Sequence, residues 1–240
     1  MAKPTTMMKR YLWDLLFRLT VFLFISFIYL RDPQQLDFTS ENSPRSLPLT
    51  LLWLAVLISM LAQLNPNSNL TTGCLKQYPA RCQLVSRYDP TALAQATRAQ
   101  NTGAGNVAGV WLAIHLIIGV LYGKKLLSVS FLVLLCTFYF LCDLICVLFF
   151  CPFQTFLMKN RCCVNCRIFA WGSWMMAAPL FCVPHFYSWS LSGASIVVLI
   201  SWEVRFRRHP ERFWFGSNQN LQCAHCKEQL CRYKFPRTHA

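Results

Sequence analysis

Charge is what this sequence has least of. Asp, Glu, Lys and Arg make up 13% of its 240 positions, about half of the quarter expected for a soluble domain. That excludes a globular protein bathed in water on every side. No P-loop, dinucleotide-binding glycine pattern, catalytic triad or H-E-x-x-H helix is present, so nucleotide-driven and common hydrolytic classes have no support. The formal net charge is +14. The basic residues nevertheless avoid the apolar runs and form no basic helix face or known recognition motif, which argues against a nucleic-acid partner. Lys3, Lys9 and Arg10 precede an apolar run, as in a secretory signal. No small-residue cleavage site follows Ile28-Tyr29-Leu30-Arg31-Asp32, so this run is expected to remain as a first membrane span.

In place of charge the chain has apolar surface. Hydrophobic residues make up 55%, with 19 Phe and 8 Trp, and the mean hydropathy is +0.37. A helix needs roughly 20 residues to cross the hydrocarbon. The expected fold is therefore all-α, a polytopic transmembrane helical bundle of about six spans near 11–30, 47–64, 106–122, 126–150, 169–187 and 189–204. Residues 1–204 form the membrane domain, and 205–240 a basic, cysteine-containing cytosolic tail. Asp14 and Arg18 weaken the first span but lie four apart and can pair. Pro179 and Pro184 notch the fifth, which neighbouring helices can accommodate.

With the N-terminus inside, the segments 1–10, 65–105, 151–168 and 205–240 carry eighteen Lys or Arg, against four on the opposite side. The positive-inside rule then puts both termini in the cytosol. The sequon Asn69-Leu70-Thr71 speaks against that orientation, but such triplets arise often by chance. The aromatic, basic stretch Arg205–Gly216 is expected to lie along anionic lipid headgroups. Trp171 and Trp174 are expected as interfacial anchors, and Glu203 as a local partner of Arg205 or Arg207.

Thirteen cysteines are too many to pass over, and the chain is too long and apolar for a disulfide-stapled miniprotein. Three groups fall on the expected cytosolic face: Cys142, Cys146 and Cys151; Cys162, Cys163 and Cys166; Cys223, Cys226 and Cys231. Cys163-Val-Asn-Cys166 and Cys223-Ala-His-Cys226 are C-x2-C knuckles, and two knuckles make a tetrahedral four-sulfur site suited to zinc or iron. Cys151, Cys162 and Cys231 are reserve ligands. Arg161, Arg167, Lys227, Arg232 and Lys234 offset the charge of four thiolates. Zinc is the first expectation, an iron–sulfur centre the alternative, and cycling between dithiol and disulfide a third.

Within the membrane, Cys142 and Cys146 share a helix face. Asp143 beside them costs about 2.5–3.5 kcal/mol to insert and so needs a proton or a partner. It serves either a proton relay or hydrogen bonds to another span. His115 reads as a packed, hydrogen-bonded residue, and Cys136 and Cys182 as small apolar side chains. The expected activity is a binding or scaffold module with a cytosolic zinc site. The rivals are an oxidoreductase or electron carrier using the cysteine clusters, and a transporter of a small solute or metal ion using Asp143 and His115.

The stretches CPFQTFLMKNRCCVNCRIFAWGSWMM (151–176) and HPERFWFGSNQNLQCAHCKEQLC (209–231) resemble signature segments of an uncharacterised family of bacterial multi-pass membrane proteins with CCxNCRI and GSNxNLxCxxCxxxLC motifs. The resemblance implies that Cys162, Cys163, Cys166, Cys223, Cys226 and Cys231 belong to one shared motif. It also implies a bacterial inner membrane as the location, and it implies no chemistry. A weaker similarity is to polytopic ferredoxin-type proteins that accompany periplasmic nitrate and nitrous-oxide reductases. Those carry C-x3-C-P at helix ends, whereas here Cys146 is followed by Val147 and the Cys-Pro pair comes later, at Cys151-Pro152.

Overall fold

The computed structural model describes residues 6–39, 47–65, 75–160, 162 and 165–226. Among them every regular element is helical, and β pairing is limited to an isolated bridge between Leu84 and Asn218. The helices are α1 (Thr6–Arg31), α2 (Leu47–Ala62), α3 (Pro90–Gly123), α4 (Val129–Leu148), α5 (Gly172–Ala177) and α6 (Phe186–Arg208). Of these, α1, α3 and α4 are long and apolar enough to cross a membrane, and α2 is a shorter apolar helix. The first, second and fourth expected spans therefore form helices close to the expected bounds.

The third, fifth and sixth expected spans differ from their helices, each for a local reason. The third was expected over 106–122 behind a loop from 65 to 105 with a separate short helix over 90–100, but α3 runs unbroken from Pro90. Asp89 caps it by accepting from the Thr91 amide at 2.8 Å, proline suits the first helical position, and the Ala- and Gln-rich stretch that follows contains no breaker. At about 1.5 Å per residue, α3 reaches roughly 51 Å, well beyond the ~30 Å of hydrocarbon. The fifth, expected over 169–187, is not a continuous helix. It divides into a 3-10 turn at Arg167–Trp171, the short α5, and a second 3-10 turn at Ala178–Leu180. Pro179 and Pro184 each remove a backbone donor. His185 then restarts the chain by capping α6, its ring nitrogen accepting from the Tyr187 amide at 3.3 Å. Helix α6 runs past the expected end at Val204 as far as Arg208.

Helices α1 and α4 pack along their length. Near one end Met8 and Tyr11 of α1 meet Leu144 and Leu148 of α4, while near the other Ile25 meets Val129, Leu132 and Val133. The two helices are thus antiparallel. The main core joins Val107 and Trp111 of α3 to Cys166, Trp171, Trp174, Trp202, Phe206 and Phe213. Trp171 and Trp174, expected at the lipid interface, are buried here and stack edge to face at 5.7 Å. At Gly103 a Cβ would lie 3.0 Å from Met158 Sδ and 3.2 Å from the Leu157 carbonyl, so the close approach of α3 to the turn after α4 requires glycine.

The tail segment also turns inward. Phe213 is buried, and Ser217 and Asn218 are wholly enclosed. Asn218 Nδ2 donates to the Lys76 and Arg212 carbonyls at 3.1 and 2.9 Å, and Asn220 Nδ2 donates to the Arg81 carbonyl at 2.8 Å. Backbone bonds from Val85 N to Ser217 O and from Gln219 N to Gln83 O, both 2.8 Å, complete a clamp between residues 76–85 and 212–220. Arg207, Arg208 and Phe215 remain exposed.

Candidate functional site: a thiol-lined cleft

Helical periodicity puts Cys142 and Cys146 one turn apart on the same face of α4, near its C-terminal end. The helix stops at Leu148, where the Phe149 amide makes a last bond to Ile145 O at 2.8 Å. Cys151-Pro152 then opens a single π turn over Phe153–Leu157, in which the Met158 amide reaches Phe153 O at 2.9 Å. This turn folds Cys151 back against α4. The Gln154 amide donates to Cys151 Sγ at 3.4 Å. Further along, Cys166 immediately precedes the 3-10 turn Arg167–Trp171 and is buried.

These segments enclose a cleft of about 310 Å³. Cys142, Cys146, Cys151 and Cys166 all line it, together with Asp143 and the aromatic rings of Trp111, Tyr139, Phe150 and Phe153. His115 lies just outside. Its Nδ1 sits 2.9 Å from the Trp111 carbonyl, and its ring packs 4.5 Å from that of Trp111. Its Nε2 is buried without a partner, as is the Trp111 indole N–H.

Asp143 separates this cleft from a more polar one of about 430 Å³ between α1, α2, α4 and α5. Arg18 Nη1 meets Asp143 Oδ2 at 2.9 Å and also donates to the Phe140 carbonyl at 2.8 Å, while Arg18 Nη2 lies 3.3 Å from Asp14 Oδ2. One guanidinium therefore serves two carboxylates, and the partner Asp143 needs inside the bundle comes from α1. Gln63 Nε2 and Ser173 Oγ, 3.0 Å apart, line the same cleft.

The cysteines expected to bind metal are distributed differently. Cys163 and Cys231 lie outside the described residues. Cys223 and Cys226 occupy a tight 3-10 turn, with the Cys226 amide on Cys223 O at 3.2 Å, and they do not line the cleft. Cys162 takes an amide bond to Asn160 Oδ1 at 3.0 Å and is also absent from the cleft wall. Among the described residues no group of three or more His, Cys, Asp or Glu is arranged to hold a metal ion.

The charges around the thiols also depart from expectation. Arg167 does not stand ready to offset thiolates: its Nη2 is ion-paired with Glu203 Oε2, and its guanidinium stacks 3.7 Å over the Phe206 ring. Glu203 also accepts from Trp171 Nε1 at 2.9 Å, so its partner is Arg167 rather than Arg205 or Arg207. Arg205 instead donates to Tyr78 Oη at 2.6 Å and lies over that ring.

Sequence reasoning grouped Cys142, Cys146 and Cys151, which share the cleft wall, but it did not separate Cys166, which joins them there, from Cys223 and Cys226, which do not. It also read Ser217 and Asn218 only as a turn. Compared with protein-family models, with curated proteins and with solved structures, the chain matches none. The functional argument therefore rests on the geometry of the cleft itself.

Proposed function

We propose that this chain is a six-span membrane oxidoreductase of the bacterial inner membrane, using Cys146 and Cys151 as a thiol–disulfide pair. One observation carries the reading: two thiols five residues apart line the wall of one cleft at the end of a membrane-spanning helix. The Gln154 amide donates to the Cys151 sulfur, and a hydrogen bond of that kind favours negative charge on the acceptor. Cys151 is accordingly the attacking sulfur in exchange, and Cys146 resolves the mixed disulfide.

Six spans follow if α2, the broken segment 167–187 and α6 join the three long helices. Helix α6 covers about 34 Å at 1.5 Å per residue, and its charged residues, Glu203, Arg205, Arg207 and Arg208, all lie in its last two turns. The basic, thiol-bearing end then faces the cytosol with both termini, and Arg207, Arg208 and Phe215 contact anionic headgroups.

Mild oxidation of the reduced protein with diamide, followed by alkylation and peptide mapping, tests the redox reading. A Cys146–Cys151 disulfide that dithiothreitol reverses is the expected product. Both thiols remaining alkylatable under conditions that oxidise other cysteines would sink the proposal.

A structural zinc site at Cys163, Cys166, Cys223 and Cys226 is the second reading, favoured by the tight Cys223–Cys226 turn. It predicts zinc that survives Cys146→Ser and Cys151→Ser but is lost with Cys223→Ser. Anaerobically purified protein free of zinc and iron would remove it.

A further inference from the structure

We infer that the cleft receives a lipid-soluble quinone, which takes the electrons of the Cys146–Cys151 pair; this rests on the redox reading above. The walls determine the chemistry of the occupant. Trp111, Phe138, Tyr139, Phe150, Phe153 and Phe169 present aromatic faces and edges around the thiols. A space of about 310 Å³ lies at the small end of ligand pockets and suits a single planar ring system. Access selects further. Phe138 of α4 and Phe150, just past the end of that helix, line the cleft and are 43% and 37% exposed, so the mouth has an apolar rim beside a membrane-spanning helix. A charged, water-soluble oxidant such as glutathione disulfide would have to shed its hydration to enter there. A neutral oxidant dissolved in lipid would not.

The reaction balances without any other participant. Two S–H bonds break, one at Cys146 and one at Cys151, and a single S–S bond forms. Two electrons and two protons pass to the quinone, whose carbonyl oxygens become the hydroxyls of a hydroquinone. Cys142 and Cys166 line the same cleft outside that pair and are not consumed.

The test uses full-length protein in detergent, reduced and freed of reductant under argon. The probe is a fully ring-substituted benzoquinone with a decyl tail, which leaves no ring position open to thiol addition. Quinone absorbance should fall by one equivalent per chain, with a Cys146–Cys151 disulfide as the mapped product. Cys146→Ser and Cys151→Ser should each abolish the loss of absorbance, and Cys182→Ser should leave it unchanged. Binding is read separately in the Cys151→Ser protein, where an azido analogue should label peptides from residues 138–153 and be displaced by excess parent quinone. If diamide forms the disulfide while the quinone leaves both thiols reduced and the azide labels nothing in the cleft, the quinone assignment falls and the redox pair stands. If neither oxidant links the two cysteines, both readings fall together.

Discussion

Gly172 is the tightest contact around the charges inside the bundle, and alanine there tests how they are held. A Cβ at this position would lie 2.4 Å from Asp143 Oδ1 and 2.8 Å from its Cγ, where real Cβ contacts essentially never fall below 3.0 Å. Either the carboxylate moves or α5 does. Asp143 is tethered through Arg18 at 2.9 Å, and Arg18 is itself bound to Asp14 and to the Phe140 carbonyl. Overpacking of this kind costs about 1–3 kcal/mol, against up to ~1 kcal/mol gained from helix propensity. Gly172→Ala is therefore expected to lose roughly 1–2 kcal/mol in reversible unfolding in mixed detergent micelles. Gly105→Ala and Gly109→Ala, where a Cβ meets nothing within 4 Å, should be neutral or slightly stabilising. A double-mutant cycle isolates the cause. Asp143→Ala removes the clashing oxygens and should absorb most of the cost of Gly172→Ala, whereas Asp143→Asn keeps the shape and should not. If Gly172→Ala and Asp143→Ala add within about 0.5 kcal/mol, the steric account is wrong.

Other consequences follow from the same geometry. Glu203→Leu leaves Arg167 buried without its counter-charge and should destabilise by roughly 3–5 kcal/mol; adding Arg167→Met should recover a large part, and a double variant no better than the single would contradict the pairing seen here. Asn218→Ala removes two hydrogen bonds to carbonyls 76 and 212, leaving buried acceptors unsatisfied at about 1–3 kcal/mol, and should speed proteolysis between residues 76 and 88. Burial pushes the Cys82 thiol above its ordinary range, against a downward pull from Arg212 and with a smaller upward push from Glu211. Its thiolate fraction is therefore lower than that of a free cysteine throughout the neutral range. Maleimide labelling of Cys82 should lag behind exposed Cys223 at pH 7 and catch up only at clearly alkaline pH, and equal rates at pH 7 would rule this out.

Much of the helical framework was legible because long apolar runs admit few alternatives. Residues 126–150 could hardly be anything other than α4, and Ser128 marks its start by accepting from the Phe131 amide at 3.2 Å. The segment 169–187 misled because hydropathy cannot distinguish a straight span from one cut by Pro179 and Pro184. Start signals were decisive but easy to underrate: the short helix expected over 90–100 is the first part of α3, which Asp89-Pro90 opens and which continues without a break into the span. For the site, periodicity gave Cys142 with Cys146, but the approach of Cys166 to them depends on the turns after α4 and had no local signal. What no local pattern carried was the partner of each charge. Arg18 with Asp143, and Arg167 with Glu203, are 125 and 36 residues apart, and only tertiary packing selects them over nearer partners.

The central claim is that Cys146 and Cys151 act as one redox unit, and a redox titration tests it most directly. Reduced protein would be equilibrated anaerobically across a series of redox buffers, quenched with an alkylating reagent and read by peptide mass. The buffers are mixtures of reduced and oxidised dithiothreitol, both small and uncharged, so access to the cleft does not limit the exchange. The account predicts that alkylation of Cys146 and Cys151 disappears together, along a single reversible two-electron curve, with Cys142 unchanged. Independent loss of the two thiols, pairing of either with another cysteine, or full alkylation of both at every poise would contradict it.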